Sequence, residues 1–139
     1  MSYKTNTLSL IKLTLSKKIT FINFELHIHE LGFYEIIVNE KEEFKIEDLK
    51  KLISAQLELG GFKLPVLVLC SEHANTDIEL LNVISKNANN PYSIADAFVI
   101  KSMAQKILAN FYIKIIKPER PTKFFNNKEE AIDWLKQYL

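Results

Sequence analysis

Residues 64–70 read LPVLVLC, seven residues without a charge and apolar at both odd and even positions. A strand that is apolar on both faces belongs inside a sheet covered on both sides, so this run is read as a central strand. The residues before it change period. Ile46, Leu49, Ile53 and Leu57 fall on one helical stripe, Lys50, Lys51 and Glu58 lie off it, and Gly60 and Gly61 end the helix. A helix that feeds a buried strand points to an α/β sheet with a parallel region.

Working outward from that strand, the N-terminal side is β-rich. Leu8 to Leu15 alternates imperfectly, its apolar phase switching between Leu10 and Ile11, which suggests a strand with a bulge. Ile22, Phe24, Leu26 and Ile28 alternate with Asn23, Glu25, His27 and His29, and Gly32 then leads into Phe33–Val38 as the second arm of a hairpin. The C-terminal side alternates helix and strand. Thr76 with Glu79 matches a capping box opening a helix through Ile78, Leu81 and Ile84, which Asn89, Asn90 and Pro91 break. Ile94–Lys101 reads as a strand. Ser102 with Gln105 forms a second box, and Met103, Ile107 and Phe111, widened by Leu108 and Ile115, predict the core face of the next helix. Phe111, Tyr112, Ile113, Ile115 and Ile116 make its end apolar around much of its circumference, which favours burial. Pro118 and Pro121 end it. A short strand at Lys123–Phe125 precedes Asn127 with Glu130, a third box before Ala131, Ile132, Leu135 and Leu139. The expected fold is a single α/β domain over residues 1–139: a mixed sheet with an N-terminal hairpin and four covering helices.

Composition narrows the function classes. The chain has 139 residues, 47% hydrophobic, with 18 basic against 17 acidic side chains and one cysteine. No intrachain disulfide is available, no charged-then-apolar leader follows Met1, and no apolar run approaches bilayer length, so a cytoplasmic protein without a transmembrane segment is expected. A net charge of +1 argues against nucleic acid. One arginine, Arg120, stands among 17 lysines, which equips the chain poorly for bidentate phosphate recognition. The glycines are Gly32, Gly60 and Gly61, matching neither a P-loop nor a dinucleotide fingerprint. Charge is nonetheless sided. Residues 25–60 carry −5 and residues 101–139 carry +4, with Lys101, Lys106, Lys114, Lys117 and Arg120 as a candidate basic face toward an anionic partner or lipid head groups.

The order of elements, LPVLVLC after a helix, and the stretch AFVIKSMAQKILANFYIKIIKPERPTKFFNNKEEAIDWLKQYL at 97–139 resemble the SpoIIAA-like, STAS-related domain proteins of bacterial type. Phe124, Phe125, Ala131, Trp134 and Leu135 stand where such proteins carry their closing strand and helix. The resemblance implies a non-catalytic regulatory or protein-interaction module without a cofactor, working with a protein partner or a second copy. In STAS domains a Ser or Thr at the start of the helix after the central strand is phosphorylated. By offset, Thr76 and Asp77 stand in that neighbourhood, and Glu79 replaces the family's glycine.

The loop after the central strand, Ser71, Glu72, His73, Asn75, Thr76 and Asp77, is therefore the candidate partner or ligand surface, at the end of the sheet where open α/β folds bind. Cys70, Ser71 and His73 invite a nucleophile-and-base reading, but no Gly-x-Ser-x-Gly elbow accompanies them. Glu25, His27 and His29 share one strand face and are weak metal candidates; no metal site is expected. The alternative function is a carrier of a lipid or small apolar ligand, held between the sheet and its helices and lined by residues such as Leu108 and Phe111. Peripheral contact with a membrane stays open.

Overall fold

The computed structural model describes residues 17–39 and 43–139; the strand expected at Leu8–Leu15 lies outside them. The elements are β1 (Ile19–Thr20), β2 (Phe24–Ile28), β3 (Tyr34–Val38), α1 (Ile46–Glu58), β4 (Leu64–Cys70), α2 (Ile78–Ile84), β5 (Ser93–Val99), α3 (Met103–Phe111), β6 (Thr122–Phe125) and α4 (Lys128–Leu135). A π turn, Tyr112–Ile116, extends α3, and 3₁₀ turns span Asn87–Asn89 and Lys136–Tyr138. The LPVLVLC run is β4 from end to end.

Among the described residues six strands lie side by side in chain order, β1 to β3 antiparallel and β3 to β6 parallel. This order dictates the layers. Right-handed crossovers that always step in the same direction put every connecting helix on one face, so α1, α2 and α3 share it. The register aligns Leu26, Ile36, Val68, Phe98 and Phe124 in one row across that face. Leu49, Leu52 and Leu80 cover the β2–β4 side of the row, and Tyr112 meets the Phe98 and Phe124 rings edge-on at 6.4 and 6.3 Å. Helix α4 follows β6 and lies on the opposite face. There Ala131 and Leu135 pack on Phe33, Leu67, Ala97 and Val99.

Local signals set the ends. Just after α1, Gly60 adopts φ 121°, where a β-carbon would collide with the Phe62 ring. Ser102 and Gln105 form the expected reciprocal box, and the Asn127 side chain accepts from Glu130 N at 2.9 Å. The cap of α2 differs: Asp77, not Thr76, accepts from Leu80 N at 2.8 Å, while Thr76 Oγ1 donates to Phe44 O at 2.8 Å. Lys117 takes a left-handed turn at φ 59° and Pro118 follows, ending the π turn.

Two helices turn a different side inward from the one their apolar spacing predicts. Helix α1 buries Leu49, Leu52, Ala55 and Gln56 and leaves Leu57 exposed. Helix α3 leaves Met103 and Ile107 at 70% and 64% exposure, and Ile115 of the π turn is exposed beside them. Its inner side is Gln105, Leu108, Ala109 and Tyr112. Phe111 and Ile116 are half-buried and Ile113 is exposed, so the apolar end of this helix is only partly covered.

Candidate functional site

A cavity of about 150 Å³ lies between the sheet and its three-helix face. Its floor is the apolar row Ile36, Val68, Phe98 and Phe124, together with Val38, Val66 and Cys70. Its roof comes from Leu49, Leu52 and Gln56 of α1, Leu80, Leu81 and Ile84 of α2, and Leu108, Ala109 and Tyr112 after them. Asn75 and Thr76 of the loop following β4 stand at its rim. The cavity therefore reaches the C-terminal ends of the parallel strands, where open α/β sheets bind ligands.

The rim loop is tied down by one side chain. Gln105 Nε2 donates to the carbonyls of Ser71, Glu72 and Ala74 at 2.8, 3.2 and 2.9 Å, while its Oε1 accepts from Lys101 N and Ser102 N at 2.7 and 3.1 Å. Within this loop Ser71 Oγ donates to Val38 O at 3.0 Å, and Thr76 is held by Phe44. Glu72, His73, Asn75 and Asp77 are exposed.

Among the described residues, three polar side chains lining the cavity carry buried atoms without a protein partner. Both amide atoms of Gln56, 1% exposed, the hydroxyl of the fully buried Tyr112, and the carbonyl oxygen of Asn90, 8% exposed, make no hydrogen bond among the described residues. Burial, reinforced by the Asp96 carboxylate and opposed by Arg120, pushes the Tyr112 phenol above its ordinary value, so it stays a neutral donor. Burial likewise pushes the Cys70 thiol up to about 11, against a smaller opposing pull from Lys101. A thiol so protonated is a poor nucleophile at neutral pH.

Other candidates fall into different places. Arg120 is not part of a basic surface: it is 6% exposed, with Nε 2.7 Å from Asp96 Oδ2. Lys101, Lys106, Lys114 and Lys117 are exposed as expected. Glu25 pairs with Lys18 at 3.3 Å, His27 Nε2 lies 3.4 Å from Glu35, and the His29 ring stacks on Phe33 at 4.4 Å. Among the described residues no three His, Cys, Asp or Glu side chains are grouped to hold a metal ion. Leu108 lines the cavity, whereas Phe111 does not. Gln56 and Asn90 are site residues that the sequence reading passed over. A polar residue at a buried helical position looks like solvent-side filler until the helix is oriented. Among the described residues no helix is long and apolar enough to cross a membrane.

Residues 28–139 match a family described as a domain of unknown function, DUF7793. No curated protein matches the chain. Among solved structures the chain is similar to an uncharacterized protein from the DUF3478 family with a SpoIIAA-like fold, from Shewanella loihica PV-4. The identity is 16% and the TM-score 0.48, over 81% of this chain and 91% of that one.

Proposed function

The chain belongs to the DUF7793 family, and from that premise we propose that it is a non-catalytic binding module that takes up a small, largely apolar ligand between its sheet and its three-helix face. One observation carries this reading. The cavity's roof helices hold Gln56 and Tyr112 inward while Leu57, Met103 and Ile107 stand in solvent. Sequences obey their apolar phase unless a functional site is worth the departure. The volume suits one ring: a cavity of about 150 Å³ lined by Leu, Ile and Phe takes up benzene. The test is methyl-detected NMR with benzene as probe. Saturable shifts at Val66, Val68 and Leu108, and none at Leu135 on the opposite face, are expected; no shift at the cavity methyls would refute it.

A second reading, the regulatory or protein-interaction module, is favoured by the outer side of α3. Met103, Ile107 and Ile115 are exposed amid Lys106, Lys114 and Lys117, a surface suited to an apolar, acidic-rimmed partner. The two readings are compatible, because the same helix would carry ligand behind it and partner in front. Changing Ile107→Lys should abolish partner capture while leaving benzene shifts intact; capture unaffected by it would count against this face.

A further inference from the structure

We infer that the ligand is an uncharged, single-ring compound bearing a carboxamide or lactam group, with that group against Gln56, Tyr112 and Asn90; this rests on the cavity reading above. The size comes from the volume of about 150 Å³, which holds a six-membered ring with one small substituent. The polarity comes from the three unpartnered side chains. Gln56 presents an amide that both donates and accepts, Tyr112 a hydroxyl that does both, and Asn90 a carbonyl that accepts. They enter from three separate segments: α1, the turn after α2, and the π turn after α3. Buried polar groups are normally satisfied, so a partner that gives and takes hydrogen bonds suits the cavity. A hydrocarbon leaves all three wanting, and a simple ether or ketone, which only accepts, leaves Asn90 wanting. A primary amide or a lactam offers N–H donors and a carbonyl acceptor on one planar group.

The lack of charge follows from Asp96. Among the described residues it is the one carboxylate lining the cavity and no lysine or arginine lines it, and Asp96 is already engaged by Arg120 and by the Ser93 hydroxyl. An ionised ligand would give up its hydration for a cavity with no free counter-charge, which is prohibitive.

The experiment uses the full chain and four probes of one size: benzamide, benzene, benzoate and benzylamine, titrated at pH 7 by NMR. Benzamide is expected to bind at least tenfold more tightly than benzene and to shift the Gln56 side-chain amide, with benzoate and benzylamine weaker than both. Gln56→Leu and Tyr112→Phe, which keep size and shape, should each bring benzamide down toward benzene while benzene itself still binds. Equal affinity for benzamide and benzene overturns the inference and leaves the cavity reading standing. Binding of benzoate or benzylamine as tight as that of benzamide overturns the absence of charge. Failure of all four, benzene included, removes the cavity reading and this inference with it. Unchanged benzamide affinity in both variants shows that the amide is recognised elsewhere and also overturns the proposal.

Discussion

Arg120 and Asp96 form a buried ion pair in which the guanidinium Nε and the carboxylate Oδ2 lie 2.7 Å apart. The pair sits on three supports. Arg120 Nη2 donates to Ile84 O at 2.8 Å, Nη1 to Asn87 Oδ1 at 3.3 Å, and Ser93 Oγ donates to the other Asp96 oxygen. The chain's one arginine thus fastens the end of α2, the following turn, β5 and the approach to β6 around the cavity's back wall. Removing one partner strands the other charge in the interior. Arg120→Met is expected to cost about 3–5 kcal/mol in urea unfolding, and Arg120→Met with Asp96→Leu to recover much of that loss. A cost under about 1 kcal/mol for the single variant would show the pair to be hydrated.

Gln56 makes the opposite demand on stability. Its amide is buried without a protein partner, so Gln56→Leu is expected to raise stability by about 1 kcal/mol or more, seen as a higher Tm, in the same variant that loses the amide preference. A stability gain combined with a binding loss marks a residue kept for function. A Tm lowered by the change would mean that the amide is satisfied in solution.

The phase of α3 can be checked directly. If Met103 and Ile107 point outward, Met103→Ser and Ile107→Ser should each alter stability by no more than about 0.5 kcal/mol. Leu108→Ala, on the cavity side, should cost about 2 kcal/mol or more. The reverse order in thermal unfolding would place the predicted stripe in the core after all.

How much of this was legible follows from where the physics is local. The β4 run, the Ser102 cap, the Asn127 cap and the glycine stop of α1 are written in adjacent residues, and each emerged at its place. The faces of α1 and α3 were not. A stripe such as Met103, Ile107 and Phe111 records periodicity, while which stripe faces the sheet depends on crossover geometry and on what the cavity holds. Arg120 read as surface charge because its partner Asp96 is distant in sequence, and a parallel sheet brings them together. Thr76 and Asp77 are both residue types that cap helices, so the cap read at Thr76 fell one position early: the Thr76 hydroxyl is taken by Phe44 O and Asp77 caps instead. Strand β1, two residues long, is too short to carry a periodicity.

Gln105 offers a test of the rim. Its amide nitrogen reaches three carbonyls of the loop 71–74, so Gln105→Glu would face those carbonyls with a carboxylate oxygen and no donor. Hydrogen exchange is expected to rise at residues 71–76 and to stay unchanged in β6 and α4. Uniform acceleration across the chain would mean global destabilisation, and no change would show that the loop is held by Ser71 and Thr76 alone.

Cys70 ties the site to alkaline pH. Its thiol titrates near 9.0 in an unexceptional setting and at about 11 in the folded chain, chiefly through burial. Above pH 9 the unfolded chain has released a proton that the folded chain still holds, so ∂ΔG/∂pH for unfolding is negative there. The contribution is complete below pH 9 and is lost as pH climbs to about 11. Tyr34 and Tyr112 are also raised by burial and add the same sign above their ordinary value of 10.0. The two phenols already begin to titrate in the unfolded chain between pH 9 and 10, so the thiol's share across that interval is the difference between the wild-type chain and Cys70→Ala. Urea unfolding across it should show stability falling in the wild-type chain and a flatter profile in Cys70→Ala; parallel profiles would show that the Cys70 thiol reaches water.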